Sequence, residues 1–244
     1  PKDVPYRPHR ATPKPVIPGS QTAIVVGKSG EEIWTDKYGR IKVQFHWDQE
    51  GKKDENSSCW VRVASTWAGK NWGNMFIPRI GQEVVVSFEE GNPDRPLVTG
   101  SVYNAQQTIP YKLPTDQTIS TMKSNTSKGG ATSNEIYFQD KKNNEVLYMR
   151  AGKDMEVRVK NDRSTYIKEG NDTLEIAKGN RTFKVKKGKE NYSVKGKRTL
   201  KIGNNEAHTN KKNFTHKVKG NYTLKVTGNI TIKAVGKVTI QSGK

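Results

Sequence analysis

Gly220-Asn221-Tyr222-Thr223-Leu224-Lys225-Val226-Thr227 is followed directly by Gly228-Asn229-Ile230-Thr231-Ile232-Lys233-Ala234-Val235, and Gly236 opens the next unit. Traced outward, the glycine position recurs at Gly170, Gly179, Gly188 and Gly196, then at Asn204 and Lys212 by spacing, and again at Gly220, Gly228 and Gly236. The step is nine residues twice and eight thereafter. Four places past each anchor stand Leu174, Phe183, Tyr192, Leu200, His208, His216, Leu224, Ile232 and Ile240. Six places past stand Ile176, Val185, Val194, Ile202, Asn210, Val218, Val226 and Ala234. The position between these columns is polar, mostly Lys or Glu, and Thr recurs just before the first of them. Apolar residues at even offsets and polar ones at odd offsets give the two-residue period of a strand with one buried face. A short unit repeated in this way describes a rod.

A seven-residue strand and a glycine kink carry only two or three apolar side chains. One chain coiled on itself at that width buries such a face poorly. Three chains wound about a common axis bury it well, each hiding its edges against the next. The expectation is an obligate homotrimeric β-helix, nine units long and on the order of 45 Å from the strand spacing.

Composition agrees with a water-facing assembly. Of 244 residues 32% are hydrophobic, enough for one domain plus an extension but thin for two ordinary cores. No apolar run reaches membrane-spanning length and no signal peptide opens the sequence. Pro1 to Pro18 carries six prolines and reads as a linker. The single cysteine, Cys59, excludes an internal disulfide; its place in Cys59-Trp60-Val61 predicts a buried structural thiol. Charge is uneven: residues 151–244 hold 23 Lys+Arg and 8 Asp+Glu, net +15, leaving +4 of the total +19 for the rest. Lysines at odd offsets keep a long β surface soluble; the same charge would also attract an anionic membrane surface or nucleic acid.

Residues 20–105 have another texture. Strands are predicted at Gln21–Val26, Arg40–Trp47, Ser58–Ala64, Glu83–Phe88 and Pro96–Val102, with turns at 38–39, 49–56, 69–73 and 90–95. Five strands without helical periodicity predict a small closed barrel of the oligonucleotide/oligosaccharide-binding (OB) type. All five tryptophans, Trp34, Trp47, Trp60, Trp67 and Trp72, fall here and are expected to supply much of its core, with Trp67 and Trp72 the exposed pair.

The ordered motifs Trp34-Thr35-Asp36-Lys37-Tyr38-Gly39-Arg40 through Asp48, Ser57-Ser58-Cys59-Trp60-Val61-Arg62-Val63, Ile77-Pro78-Arg79-Ile80-Gly81-Gln82-Glu83-Val84 and Glu90-Gly91-Asn92-Pro93-Asp94-Arg95-Pro96 resemble the barrel domain of VgrG proteins, the valine-glycine repeat spikes of type VI secretion systems, related to contractile phage tail spikes. The resemblance implies an all-β chain: a five-stranded OB-type barrel followed by an intertwined triple-stranded β-helix in a homotrimer. It implies a spike that punctures target-cell envelopes. Its implied partners are a tube of Hcp rings, seated through an N-terminal base domain, a PAAR-repeat tip protein and effectors. It further implies assembly in the bacterial cytoplasm and secretion by the machine. The expected organisation is a linker over 1–19, downstream of that base domain, the barrel over 20–105, and a Ser/Thr/Gly-rich connection over 106–134. A lead-in to the β-helix over 135–169 follows, where strand pairing becomes intermolecular, and then the octad-repeat needle over 170–244.

No Gly-x-Ser-x-Gly or His-Glu-x-x-His arrangement occurs, and no catalytic residue or cofactor is assigned; the chain is expected not to be an enzyme. His208 and His216 fall in the inward column one unit apart. In a trimer each becomes a ring of three imidazoles, able to hold a metal ion or an anion on the axis, with Asn210 adding a polar ring; the plainer reading is a hydrated polar layer. Val238, Ile240, Gln241, Ser242, Gly243 and Lys244 are the expected tip or partner-binding residues. The alternative function is an OB-fold binding module for nucleic acid or anionic glycans, with Trp67 and Trp72 as stacking platforms.

Overall fold

The computed structural model describes residues 3–242. The chain divides into two units, Pro1–Ser164 and Thr165–Lys244. Among the described residues there is no α-helix, only strands and one 3-10 turn at Glu89–Gly91.

The first unit holds ten strands: β1 (Gln21–Val26), β2 (Lys42–Phe45), β3 (Arg62–Val63), β4 (Ala68–Gly69), β5 (Trp72–Gly73), β6 (Glu83–Phe88), β7 (Pro96–Val102), β8 (Ile119–Lys123), β9 (Glu135–Gln139) and β10 (Val146–Arg150). Five of them form one sheet in the order β2-β1-β6-β7-β3, antiparallel except for the parallel β3–β7 pair. An antiparallel bridge between Ile41 and Val61 joins the two ends, with reciprocal amide bonds of 2.9 and 2.8 Å, and so closes the sheet into a barrel. Closure leaves no free edge in this sheet, which explains why so small a domain needs no covering helix.

The period of two selects the barrel interior. Ala23 and Val25, Ile41 and Val43, Val84 and Val86, Val61 and Val98 are all essentially inaccessible, with Phe45, Val63, Ile77 and Phe88 packed around them. These are β-branched or small side chains, which fit a pleated, narrow interior. The tryptophans do not share it: Trp47, Trp67 and Trp72 are 64%, 61% and 58% exposed. Trp47 lies outside, stacked on Phe45 at 5.2 Å and donating its Nε1–H to Gln21. Cys59 is exposed as well. It precedes the only paired residues of its segment, so the two-residue period that would turn it inward has not begun.

The Ser/Thr-rich connection contains a strand. β8 pairs antiparallel with β9, and β9 with β10, in a three-stranded sheet ordered β10-β9-β8. The β9–β10 pairing is a local hairpin within one chain, turning about Asn143 with its φ of +65°.

In the second unit no described residue lies in a strand and every one is exposed. The backbone bends at 168–170, 177–179, 186–188, 195–196, 203–204, 211–212, 219–220, 227–228 and 235–236. Each bend ends on a repeat anchor, including Asn204 and Lys212, where glycine is missing. The reason glycine can be missing is conformational. Gly170, Gly179 and Gly188, which close the three-residue bends, have φ of +100°, +113° and +111°, whereas no later anchor takes a positive φ. Left-handed backbone favours glycine strongly, and the two-residue bends do without it.

Candidate trimer interface

The repeat places its apolar side chains in two columns of constant environment. Six places past the anchor, Ile176, Val185, Val194, Ile202, Val218 and Val226 are all 43–45% exposed. Four places past, Leu174, Phe183, Tyr192, Leu200, Leu224 and Ile232 are all 59–69% exposed. A third column, two places past, joins them from the sixth unit on, as Phe214, Tyr222, Ile230 and Val238. Sequence reasoning used only the first two columns in full, although the spacing was there to show the third.

Contacts within the chain place the positions two and four past the anchors on one face. His216 meets Tyr222 edge-on at 5.3 Å, and the Arg198 guanidinium lies 4.7 Å from the Tyr192 ring. In both cases a residue four past one anchor touches a residue two past the next. A strip of large apolar side chains open to water, interrupted by the polar unit around His208 and Asn210, is a surface awaiting cover.

His208 and His216 belong to this face but do not touch the same groups. His208 Nε2 lies 2.6 Å from Glu206 Oε1, while His216 packs on Tyr222. Among the described residues one chain brings together no group of three metal-ligating side chains. At the far end Val238 and Ile240 are 53% and 89% exposed; Gln241 and Ser242 are exposed, and Gly243 and Lys244 lie outside the described residues.

In the first unit the chemistry concentrates where the connection meets β9. Glu135, on β9 and 5% exposed, accepts the Tyr111 hydroxyl at 2.6 Å and the Thr121 hydroxyl at 2.9 Å, with Lys123 Nζ at 3.9 Å. Burial pushes its carboxyl up, but the Tyr111 and Thr121 hydrogen bonds and the charges of Lys123 and Arg150 outweigh it and hold the group below the usual carboxylate range. The same hydrogen bond, with some desolvation, lifts Tyr111 to about 12. Glu83 is likewise held low, by Asn104 at 2.8 Å, by Thr22, and by His46 at 3.7 Å. These are ties within a scaffold: carboxylates held ionised by hydrogen-bond donors and neighbouring positive charge.

The Trp67–Trp72 pair is exposed, as its sequence position suggests. The rings meet each other edge-on at 5.1 Å across the short β4–β5 hairpin, and Gly69 is required beneath them because a Cβ there would collide with the Trp72 ring.

The comparisons with known proteins follow the same division. Residues 22–103 match the type VI secretion system/phage-baseplate injector OB domain, and residues 120–236 match the bacteriophage T4 gp5 C-terminal trimerisation domain. The type VI secretion system spike protein VgrG1a of Pseudomonas aeruginosa is 62% identical over 155 residues, 63% of this chain and 24% of its own length. VgrG1b of the same organism is 59% identical over 164 residues, 66% of this chain and 22% of its own length. The chain thus spans about a quarter or less of the curated relatives it matches. Among solved structures, an E. coli component of the type VI secretion system described as similar to T4 tail proteins gp27 and gp5 is 31% identical, covering 40% of this chain and 22% of its own, with a TM-score of 0.26. The trimerisation-domain match supplies the cover that the open columns require: the fold is an OB-type barrel followed by a three-chain β-helix. With an injector barrel and a trimerisation repeat in one sequence, and 59–62% identity to spike proteins over 155–164 residues, the chain belongs to the VgrG family of type VI secretion system spike proteins.

Proposed function

We propose that this chain forms the barrel and shaft of a homotrimeric spike that transmits axial force and punctures the envelope of a target cell. The observation that carries the reading is the near-constant exposure of the apolar members of the two columns between Leu174 and Ile232, interrupted at His208, Asn210 and His216, a surface that neighbouring copies can cover along its length. Seated through an N-terminal base domain on a tube of Hcp rings, the trimer presents its far end, around Val238 to Ser242, to a PAAR-repeat tip protein and its effectors. It is assembled in the bacterial cytoplasm and exported with the machine. Its role is mechanical, without catalysis. The lysines at odd offsets keep the shaft soluble and approach anionic membrane surfaces favourably.

His208 and His216 supply two imidazole rings on the axis that can hold a transition metal or an anion. Metal analysis of chelator-free trimer, repeated on His208→Val, tests this, and an unchanged blank in both removes it.

The reading itself is tested by sedimentation equilibrium of the full chain at micromolar concentration. A mass of three chains is expected; a monodisperse monomer overturns it. A parent spike lacking residues 170–242 should fail to be exported.

A further inference from the structure

Two places past the successive anchors stand Asp172, Arg181, Glu190, Arg198 and Glu206, before the column turns apolar at Phe214. Their charges alternate without exception. Residues two and four past the anchors share a face, as the Arg198–Tyr192, His216–Tyr222 and Glu206–His208 contacts establish. These five charges therefore lie in the strip whose apolar members a trimer must cover.

Charges entering such an interior require partners, because an unpaired buried ion is strongly unfavourable. The chain itself provides almost none: among the described residues of the second unit, the one contact between a carboxylate and a basic side chain joins Glu206 to His208, an ion pair only when the imidazole is protonated. We propose that Asp172, Arg181, Glu190, Arg198 and Glu206 form an interchain ion-pair ladder inside the trimer, each pairing with the same column of a second copy of this chain. The proposal rests on the trimeric reading above.

Geometry explains the alternation. When three equivalent chains climb about one axis and each unit occupies one face, the strand stacked above unit n is unit n+1 of a neighbouring chain. Stacked strands are about 4.8 Å apart. The side chain above Asp172 is then Arg181 of another copy, above Arg181 is Glu190, above Glu190 is Arg198, and above Arg198 is Glu206. Every such cross-strand pair is of opposite sign, and such pairs stabilise while like charges repel. A slip of one chain by one unit sets like charge on like, so the ladder also fixes the register in which the copies join. The apolar column from Phe214 to Val238 provides burial without that discrimination.

The test uses the full chain and two variants, with mass by sedimentation and thermal midpoint as readouts. Transposing one pair, Arg181→Glu with Glu190→Arg, preserves composition and net charge but places like charges at two steps of the ladder. Inverting the whole column, with Asp172→Arg, Arg181→Glu, Glu190→Arg, Arg198→Glu and Glu206→Arg, restores opposite sign at every step. The transposed variant is expected to lose trimer at micromolar concentration or to melt roughly 10 °C or more below the native chain, and the inverted variant to form a trimer melting near it. A transposed variant that melts like the native chain overturns the ladder. So does an inverted variant as weak as the transposed one, since the side chains would then matter individually rather than by their alternation. A native chain that is not a trimer would instead refute the functional reading, and the two failures are distinguishable.

Discussion

Tyr111 donates its hydroxyl to Glu135 Oε1 at 2.6 Å, so that a nearly buried carboxylate on β9 is anchored from the connection that precedes it. Tyr111→Phe removes the donor but not the buried acceptor. The expected cost is about 1–3 kcal/mol, because a hydrogen bond to a charged group is lost and its acceptor stays desolvated. Denaturant unfolding of the two proteins measures it.

The pH dependence of that tie has a definite sign. Glu135 and Glu83 titrate below their unfolded values, so the stability they add is complete above about pH 5 and drains as pH falls through the folded values. Tyr111 moves the opposite way, and its contribution, full below about pH 10, disappears as pH rises through its folded value of about 12. Thermal midpoints should therefore fall on the acid side in the native protein, and fall less steeply in Glu135→Gln.

Ile41 sits at the seam that closes the barrel, fully inaccessible and bonded across to Val61. Ile41→Ala should destabilise the barrel by about 2–5 kcal/mol, a lost transfer term plus a cavity where the sheet ends meet. Loss of amide-exchange protection at Val61 before that at Val84 would locate the damage at the seam.

Glycine matters at some anchors and not at others. Gly179→Ala forces a side chain onto a φ of +113° and should lower the thermal midpoint, with about 1–2 kcal/mol of strain in each chain. Gly228→Ala meets no such backbone demand and should change the midpoint little. Equal effects of the two substitutions would contradict the distinction between the bends.

The polar interruption at His208 and Asn210 should be the weakest stretch of the shaft. His208→Val with Asn210→Val restores both apolar columns and is expected to raise the midpoint of the trimer, since buried polar groups are exchanged for packing. An unchanged or lower midpoint would mean that the polar layer is fully satisfied.

Much of this architecture was legible in the sequence because it rests on period. In the barrel, Gln21–Val26, Glu83–Phe88 and Pro96–Val102 are runs rich in Val, Ile and Thr set between turn residues, and they are strands with those ends. The anchors at Asn204 and Lys212, placed by counting alone, are bends in the structure. What was misread concerns side chains whose size suggested burial. The tryptophans are large and apolar, yet eight small or β-branched residues already fill the barrel, so the indoles lie outside it or at its margin. β8 escaped notice because Ile119-Ser120-Thr121-Met122-Lys123 lies in a Ser/Thr-rich tract; it is a strand because β9 offers an edge and Glu135 an acceptor for Thr121. The partners of the shaft's charged column are copies of the chain itself, so no contact within one chain reveals them.

The bends from Gly196 onward, which need no left-handed residue, make shaft length an adjustable quantity. A genetic event that adds or removes eight residues there brings its own kink and its own columns, and each such event moves the far end by about one strand spacing, roughly 4.8 Å. Beyond Phe214, where no charges alternate, units can be gained or lost singly. Upstream of it, gaining or losing a single unit inside the ladder sets like charge on like, so shafts of different reach should differ by even numbers of units within the ladder and by any number beyond Phe214.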